Sequence, residues 1–125
     1  MQRVVLFNSK EVIEGVKNYY IDKDHYLWID ITDPMISEID SIKQQFDVDP
    51  DILNAIYPIS KKHQPAISIL NNCYFTIFLE IKPDKCNELM TKEIYIFLGQ
   101  YWLITVHSSE INLTGFLLSV LKNKI

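Results

Sequence analysis

The sequence predicts a domain of the α/β class whose sheet is covered on both faces. Three observations predict it. The aromatic and β-branched run Tyr26-Leu27-Trp28-Ile29-Asp30-Ile31 leads straight into Asp33-Pro34, a strong helix start. After Pro65 the hydrophobic period changes to two, the period of strands. Nearly every residue from Ile94 to Val106 is apolar or aromatic, as in strands buried on both sides.

The elements follow in order. Val4 to Phe7 reads as a short strand, and Asn8, Ser9 and Lys10 as a turn. Val12 to Val16 is ambiguous, because Gly15 disfavours a helix there. Asp22 to Asp24 is a turn before the Tyr26–Ile31 strand, which ends at Thr32. Asp33 is placed to cap a helix, and Pro34 at the first helical position has no N–H to lose. Glu38 adds negative charge near the helix N-terminus. Ile36, Ile39, Ile42 and Phe46 form one helical face, so the helix is expected from Pro34 to about Phe46. Asp49-Pro50 repeats the device for a second, short helix through Ile52, Leu53 and Ile56, stopped by Pro58. Ser60 to Gln64 is a polar connector that Pro65 closes.

Ala66 to Leu70 and Cys73 to Ile81 are expected to form a hairpin around Asn71-Asn72. Lys82 to Asn87 reads as a loop. Glu93 to Leu98 and Tyr101 to Val106 form another hairpin, with Gly99 expected to supply the positive φ of its turn. The last element is a helix opened by Ser108 to Asn112, with Ile111, Leu113, Phe116, Leu117, Val120 and Leu121 on its apolar face. It runs to the final residues with no cap signal, which predicts a piece of something longer.

The 125 residues fit a single domain with no internal repeat. Apolar residues at 48% and charged residues at 22% exclude a disordered chain. The net charge is -4 and Arg3 is the only arginine, which argues against a nucleic-acid partner. Cys73 and Cys86 are too few for a disulfide scaffold or a zinc knuckle. No stretch is long and apolar enough to span a bilayer, and the start is not that of a signal peptide. The mean hydropathy of +0.02 is high for a small domain; a dense β-rich core or a surface hidden by partners would explain it.

Several residues bear on chemistry. Asp47, Asp49 and Asp51 alternate as hard oxygen donors that suit Mg²⁺ or Ca²⁺, but an EF-hand would need Gly and Glu where Ile52 and Pro58 stand. Helix capping is the better reading of the run. Asp30 interrupts an apolar strand, and a fixed hydrogen bond is expected to hold it, with a cation or interface role as the alternative. His25, His63 and His107 have no zinc spacing, and His107 reads as a solvent-exposed edge residue. Cys86 sits in a polar loop with no base beside it. Lys61-Lys62-His63 is a solvated loop. No Gly-x-Ser-x-Gly elbow or Gly-rich phosphate loop is present, and no enzyme is expected.

The order and spacing of Trp28-Ile29-Asp30-Ile31, Pro34, Glu38-Ile39, Phe46, Val48, Pro50, Pro65 and Leu103-Ile104-Thr105-Val106-His107 resemble the cytoplasmic N-terminal domain of the CorA family of divalent-cation transporters. The resemblance covers roughly Leu27 to His107. It implies a mixed β-sheet with helices packed on both faces, an α/β/α sandwich. It makes Trp28, Asp30, Pro34, Glu38, Phe46, Pro50, Pro65, Thr105 and His107 fold-forming motif positions. It further implies a homopentamer on the cytoplasmic face of the cell membrane, with a stalk helix, two transmembrane helices and a Gly-Met-Asn pore motif, none of which this sequence contains. The cargo would be Mg²⁺, Co²⁺ or another divalent cation, and any regulatory cation would bind weakly. On this likeness the chain is an excised regulatory domain that senses cytoplasmic cation. Two departures stand out: Asn54-Ala55 replaces the family's Glu-Asp pair, and Gln64-Pro65-Ala66 its Arg-Pro-Lys triplet. A module of the same fold that serves assembly without sensing is the first alternative, and a small enzyme of unknown class the second.

Overall fold

The computed structural model describes residues 1–19, 21, 23–46, 48, 66–69, 74–83, 86, 89–108 and 113–124. Its strands are β1 (Gln2–Phe7), β2 (Val12–Glu14), β3 (Tyr26–Thr32), β4 (Ala66–Ile69), β5 (Tyr74–Pro83), β6 (Leu89–Leu98) and β7 (Trp102–His107). The helices among the described residues are α1 (Ile36–Phe46) and α2 (Leu113–Lys124).

The strands form one sheet in the order β2-β1-β3-β7-β6-β5-β4. Among the described residues only β3 and β7 pair in parallel, with Leu27 opposite Trp102 and Thr32 opposite His107, and the other pairings are antiparallel. The sheet is therefore mixed, as expected. Antiparallel neighbours need only tight turns, whereas the parallel pair needs a long connection. The chain between β3 and β7 supplies it, carrying α1 and strands β4–β6.

Alternation along the two central strands creates the two layers. Leu27, Ile29 and Ile31 of β3 share a face with Trp102, Ile104 and Val106 of β7, and α1 lays Ile39, Ile42 and Phe46 onto that face. Phe46 meets Trp102 with ring centroids 5.0 Å apart. On the opposite face Trp28 and Val5 pack with Leu118 of α2, beside Leu103 and Phe7. Helices thus cover both faces, which explains why β3 and β7 are apolar almost throughout.

Local chemistry fixes several boundaries. Asn8 Oδ1 accepts the N–H groups of Lys10 (2.8 Å) and Glu11 (3.0 Å), an Asx turn that joins β1 to β2. The ambiguous Val12 segment is a strand, and it ends where Gly15 takes φ +68°. The first helix begins at Ile36, two residues beyond the Pro34 start expected from the sequence. Asp33 instead adopts φ +47°, a left-handed turn that aspartate tolerates, and its N–H donates to His107 C=O at 2.9 Å. That bond carries the β3–β7 ladder one residue past the strand. The helix N-terminus is closed by Glu38, whose Oε1 accepts the Met35 N–H at 3.0 Å, the reaching-back half of a capping box.

Two further expectations change. The loop predicted from Lys82 begins later, because β5 runs through Pro83. Gly99 does not take positive φ. Glycine is needed there for space: a Cβ would lie 2.1 Å from Trp102 Cε2, inside the indole. The second helix expected after Asp49, along with Pro50, Pro65 and the Asn71-Asn72 turn, lies outside the described residues.

Candidate functional site

The most chemically distinctive group in the structure is buried on the α2 face of the two central strands. Asp30 and Trp28 leave β3 on that face, and Thr105 and His107 leave β7 beside them, since Asp30 stands opposite Thr105 in the parallel register. Asp30, Thr105 and His107 are each 1% exposed. A bare carboxylate at that depth would be untenable, so its partners define the site.

Trp28 Nε1–H donates to Thr105 Oγ1 at 2.9 Å. Thr105 Oγ1–H donates onward to Asp30 Oδ1 at 2.5 Å. His107 Nε2 lies 2.8 Å from the same Oδ1, and Nδ1 lies 2.8 Å from Ser108 C=O. Thr32 Oγ1–H reaches Asp30 Oδ2 at 3.4 Å. Both imidazole nitrogens face acceptors, an arrangement a doubly protonated ring satisfies in full. Electrostatics agree with that reading. Burial pulls the His107 pKa down, but the hydrogen bonds to Asp30 and the Ser108 carbonyl, with the charges of Asp30 and Asp33, outweigh it and hold it above the ordinary value. The centre of the sheet is therefore tied by a buried Asp30–His107 ion pair.

The residue types invite comparison with a catalytic triad, and the connectivity does not fit one. A nucleophilic hydroxyl must hand its proton to the histidine. Here the Thr105 proton points at Asp30, the hydroxyl accepts from Trp28, and His107 is engaged on both nitrogens. The group ties strands together; it does not activate a nucleophile.

It offers no cation site either. A Mg²⁺ ion keeps several oxygen ligands in octahedral geometry, whereas the Asp30 oxygens are already taken by donors. Among the described residues no three His, Cys, Asp or Glu side chains converge to hold a metal ion. Asp47, Asp49 and Asp51 lie outside the described residues.

The structure thus brings Trp28, Asp30, Thr105 and His107 into one hydrogen-bonded group. Phe46 belongs to the core on the opposite face, Glu38 closes the start of α1, and Pro34 is half-buried ahead of it. One reading is corrected: His107 is not an exposed edge residue but sits on a central strand, because its charge is matched by Asp30. The signal lay in the i, i+2 spacing of Thr105 and His107, which puts both on one strand face. Of the remaining candidates, His25 Nε2 contacts Glu11 Oε1 at 2.8 Å, and Cys86 is exposed. Cys73, His63, Lys61 and Lys62 lie outside the described residues.

The mixed sheet with α1 on one face and α2 on the other matches the fold of the CorA soluble domain. The complete CorA magnesium transporter from Methanocaldococcus jannaschii superposes with a TM-score of 0.73 at 18% identity, covering 98% of this chain and 37% of that one. The soluble domain of CorA from the same organism gives 0.69 at 19% identity, over 98% of this chain and 47% of that one. The full-length CmaX protein gives 0.76 at 9% identity, over 99% of this chain and 39% of that one. At these identities the likeness is one of fold, and the chain spans less than half the length of each of these structures. No family model matches the sequence, and no curated protein is significantly similar to it.

Proposed function

We propose that this chain is the N-terminal part of a CorA-like divalent-cation transporter, acting there as a non-catalytic regulatory domain on the cytoplasmic side of the membrane. The observation that carries the reading is a match to the CorA soluble domain over 98% of the chain despite 19% identity. A second observation supports membership in a larger assembly. On the α2 face Tyr26, Tyr74 and Leu98 are each about half exposed, a run of apolar surface that a free-standing domain would be expected to cover.

The regulatory mechanism in this reading is charge neutralisation between copies of the domain in a homopentamer. Net charge of -4 per copy repels neighbours, and Mg²⁺ or Co²⁺ between acidic faces would offset that repulsion and hold the closed state. A second reading, an assembly module that senses no cation, is favoured by Asn54-Ala55 and Gln64-Pro65-Ala66, which stand where the family carries charged residues.

Two measurements test these. The reading frame beyond Ile125 should encode a long charged helix and two apolar spans, with Gly-Met-Asn at the end of the first; its absence overturns the transporter assignment. Light scattering of the chain with and without Mg²⁺ separates sensing from plain assembly. A mass that rises with Mg²⁺ supports sensing, and an unchanged mass supports the assembly module.

A further inference from the structure

The edge of the sheet at β1 carries an opening that neither the buried group nor the transporter reading uses. Its outer neighbour β2 pairs only with Val5, Leu6 and Phe7. At Gly15 the chain turns away with φ +68°, and among the described residues no strand lies along the outer side of Gln2–Val4. The register shows which groups this leaves facing outward. Met1 and Thr32 exchange both backbone bonds, Thr32 N–H to Met1 C=O at 2.8 Å and Met1 N to Thr32 C=O at 2.6 Å. Alternation then points the Gln2 and Val4 backbone groups away from β3, toward the vacated position. A cleft of about 400 Å³ occupies that position, lined by Gln2, Arg3, Val4, Glu14, Gly15 and Lys17 among others. An added Cβ at Gly15 would meet nothing within 4 Å, so that side of the cleft is open.

The charge of the cleft runs against that of the chain. Glu14 is held mainly by α2: its Oε2 lies 2.7 Å from Lys122 Nζ, and the Lys122 hydrogen bond is the main cause of its lowered pKa, with the charge of Arg3 a smaller one. Arg3, the only arginine, and Lys17 are both exposed, and among the described residues neither is in an ion pair. Outward-facing backbone groups beside two exposed cations, Lys17 and an Arg3 whose charge acts in part on the Glu14 carboxylate, define one kind of ligand.

We infer that the β1 edge and the cleft between Gln2–Val4 and Glu14–Lys17 bind an acidic segment in extended conformation, which adds to the sheet as a strand next to β1. Backbone pairing with Gln2 and Val4 supplies the register, and carboxylates on the added strand meet Arg3 and Lys17. Such a site selects by charge and is weakened by salt, because its ion pairs are at the surface.

The test is NMR titration of the ¹⁵N-labelled chain with acetyl-Val-Glu-Val-Glu-Val-amide. Saturable shifts at Gln2–Val4 and Gly15–Lys17 are expected. Affinity should fall about two- to fivefold in Arg3→Gln or Lys17→Gln, the range for exposed ion pairs. It should fall at least as much for the glutamine version of the peptide, and binding should be lost when alternate peptide nitrogens are methylated. Both variants alter exposed side chains, and circular dichroism checks that they fold. No binding, equal binding of the glutamine or methylated peptide, or shifts mapping elsewhere would overturn the inference. So would acetate alone reproducing the shifts, which would mark the cleft as a small-anion site.

Discussion

His107 Nε2 and Asp30 Oδ1 lie 2.8 Å apart across the β3–β7 parallel pair, with their side chains 2% and 1% exposed. This contact joins the β2–β1–β3 part of the sheet to the β7–β6–β5–β4 part across the parallel β3–β7 pair. Its strength depends on completeness, since Asp30 is also held by Thr105 and Thr32, and His107 by Ser108.

Removing one charge from the pair is the direct test. Asp30→Asn keeps the side-chain shape and leaves a buried imidazolium without its counter-charge. Breaking a buried pair in this way typically costs about 3–5 kcal/mol. Urea denaturation should show a loss of that order. The double variant Asp30→Asn/His107→Gln should recover part of it, because neither group is then charged. Additive losses would mean that the pair is not coupled.

The same pair gives a pH dependence with a definite sign. The folded pKa of His107 is raised above its ordinary value of 6.5 by Asp30, the Ser108 carbonyl and Asp33, against the pull of burial. Its stabilising contribution is therefore complete below about pH 6.5 and is lost as pH climbs through the folded value. Urea midpoints measured upward from pH 6 should fall on the alkaline side, and His107→Gln should flatten that fall. A midpoint in the parent chain that rose over this range would contradict the assignment.

Much of this is legible in the amino-acid sequence. The β3 run, the 3.6-residue period of α1 and the period-two strands after Pro65 each carry a local signal, and those elements are present. Asp30 could be singled out because it interrupts an apolar strand. What the sequence could not show was its partner, since Asp30 and His107 are separated by most of the chain and meet only through β3–β7 register. His107 reads as exposed because a histidine at a strand end shows no counter-charge in the sequence, whereas the fold supplies Asp30. Gly99 is a similar case. A glycine between two strands suggests backbone freedom, whereas its use here depends on where the Trp102 indole lies.

Gly99 and Gly15 should therefore respond differently to alanine. At Gly99 the new methyl would stand 2.1, 2.3 and 2.6 Å from atoms of the Trp102 ring, which is itself packed on Phe46. Displacing a buried indole should cost about 1–3 kcal/mol, as overpacking does. It should also alter the near-UV circular dichroism. At Gly15 the space is open and only the φ of +68° resists, so Gly15→Ala should cost about 1–2 kcal/mol and leave that spectrum unchanged. A Gly99→Ala spectrum as unchanged as that of Gly15→Ala would show that the Trp102 indole does not limit the space at Gly99.

Thr105 is the hinge of the buried group, because its hydroxyl accepts from Trp28 Nε1 and donates to Asp30 Oδ1. Thr105→Val preserves shape and removes both bonds, leaving a buried indole N–H without an acceptor and a carboxylate short of one donor. Each orphaned buried group costs about 1–3 kcal/mol, so a loss of at least about 2 kcal/mol is expected in urea. Thr105→Ser keeps the hydroxyl and removes one methyl, which should cost about 1 kcal/mol. The Trp28 indole resonance reports the same bond: Thr105→Val should shift it and speed its hydrogen exchange, while Thr105→Ser should leave it near its original position. If Thr105→Val cost no more than Thr105→Ser and left the Trp28 indole resonance in place, the Thr105 hydroxyl would not be what holds β3 to β7.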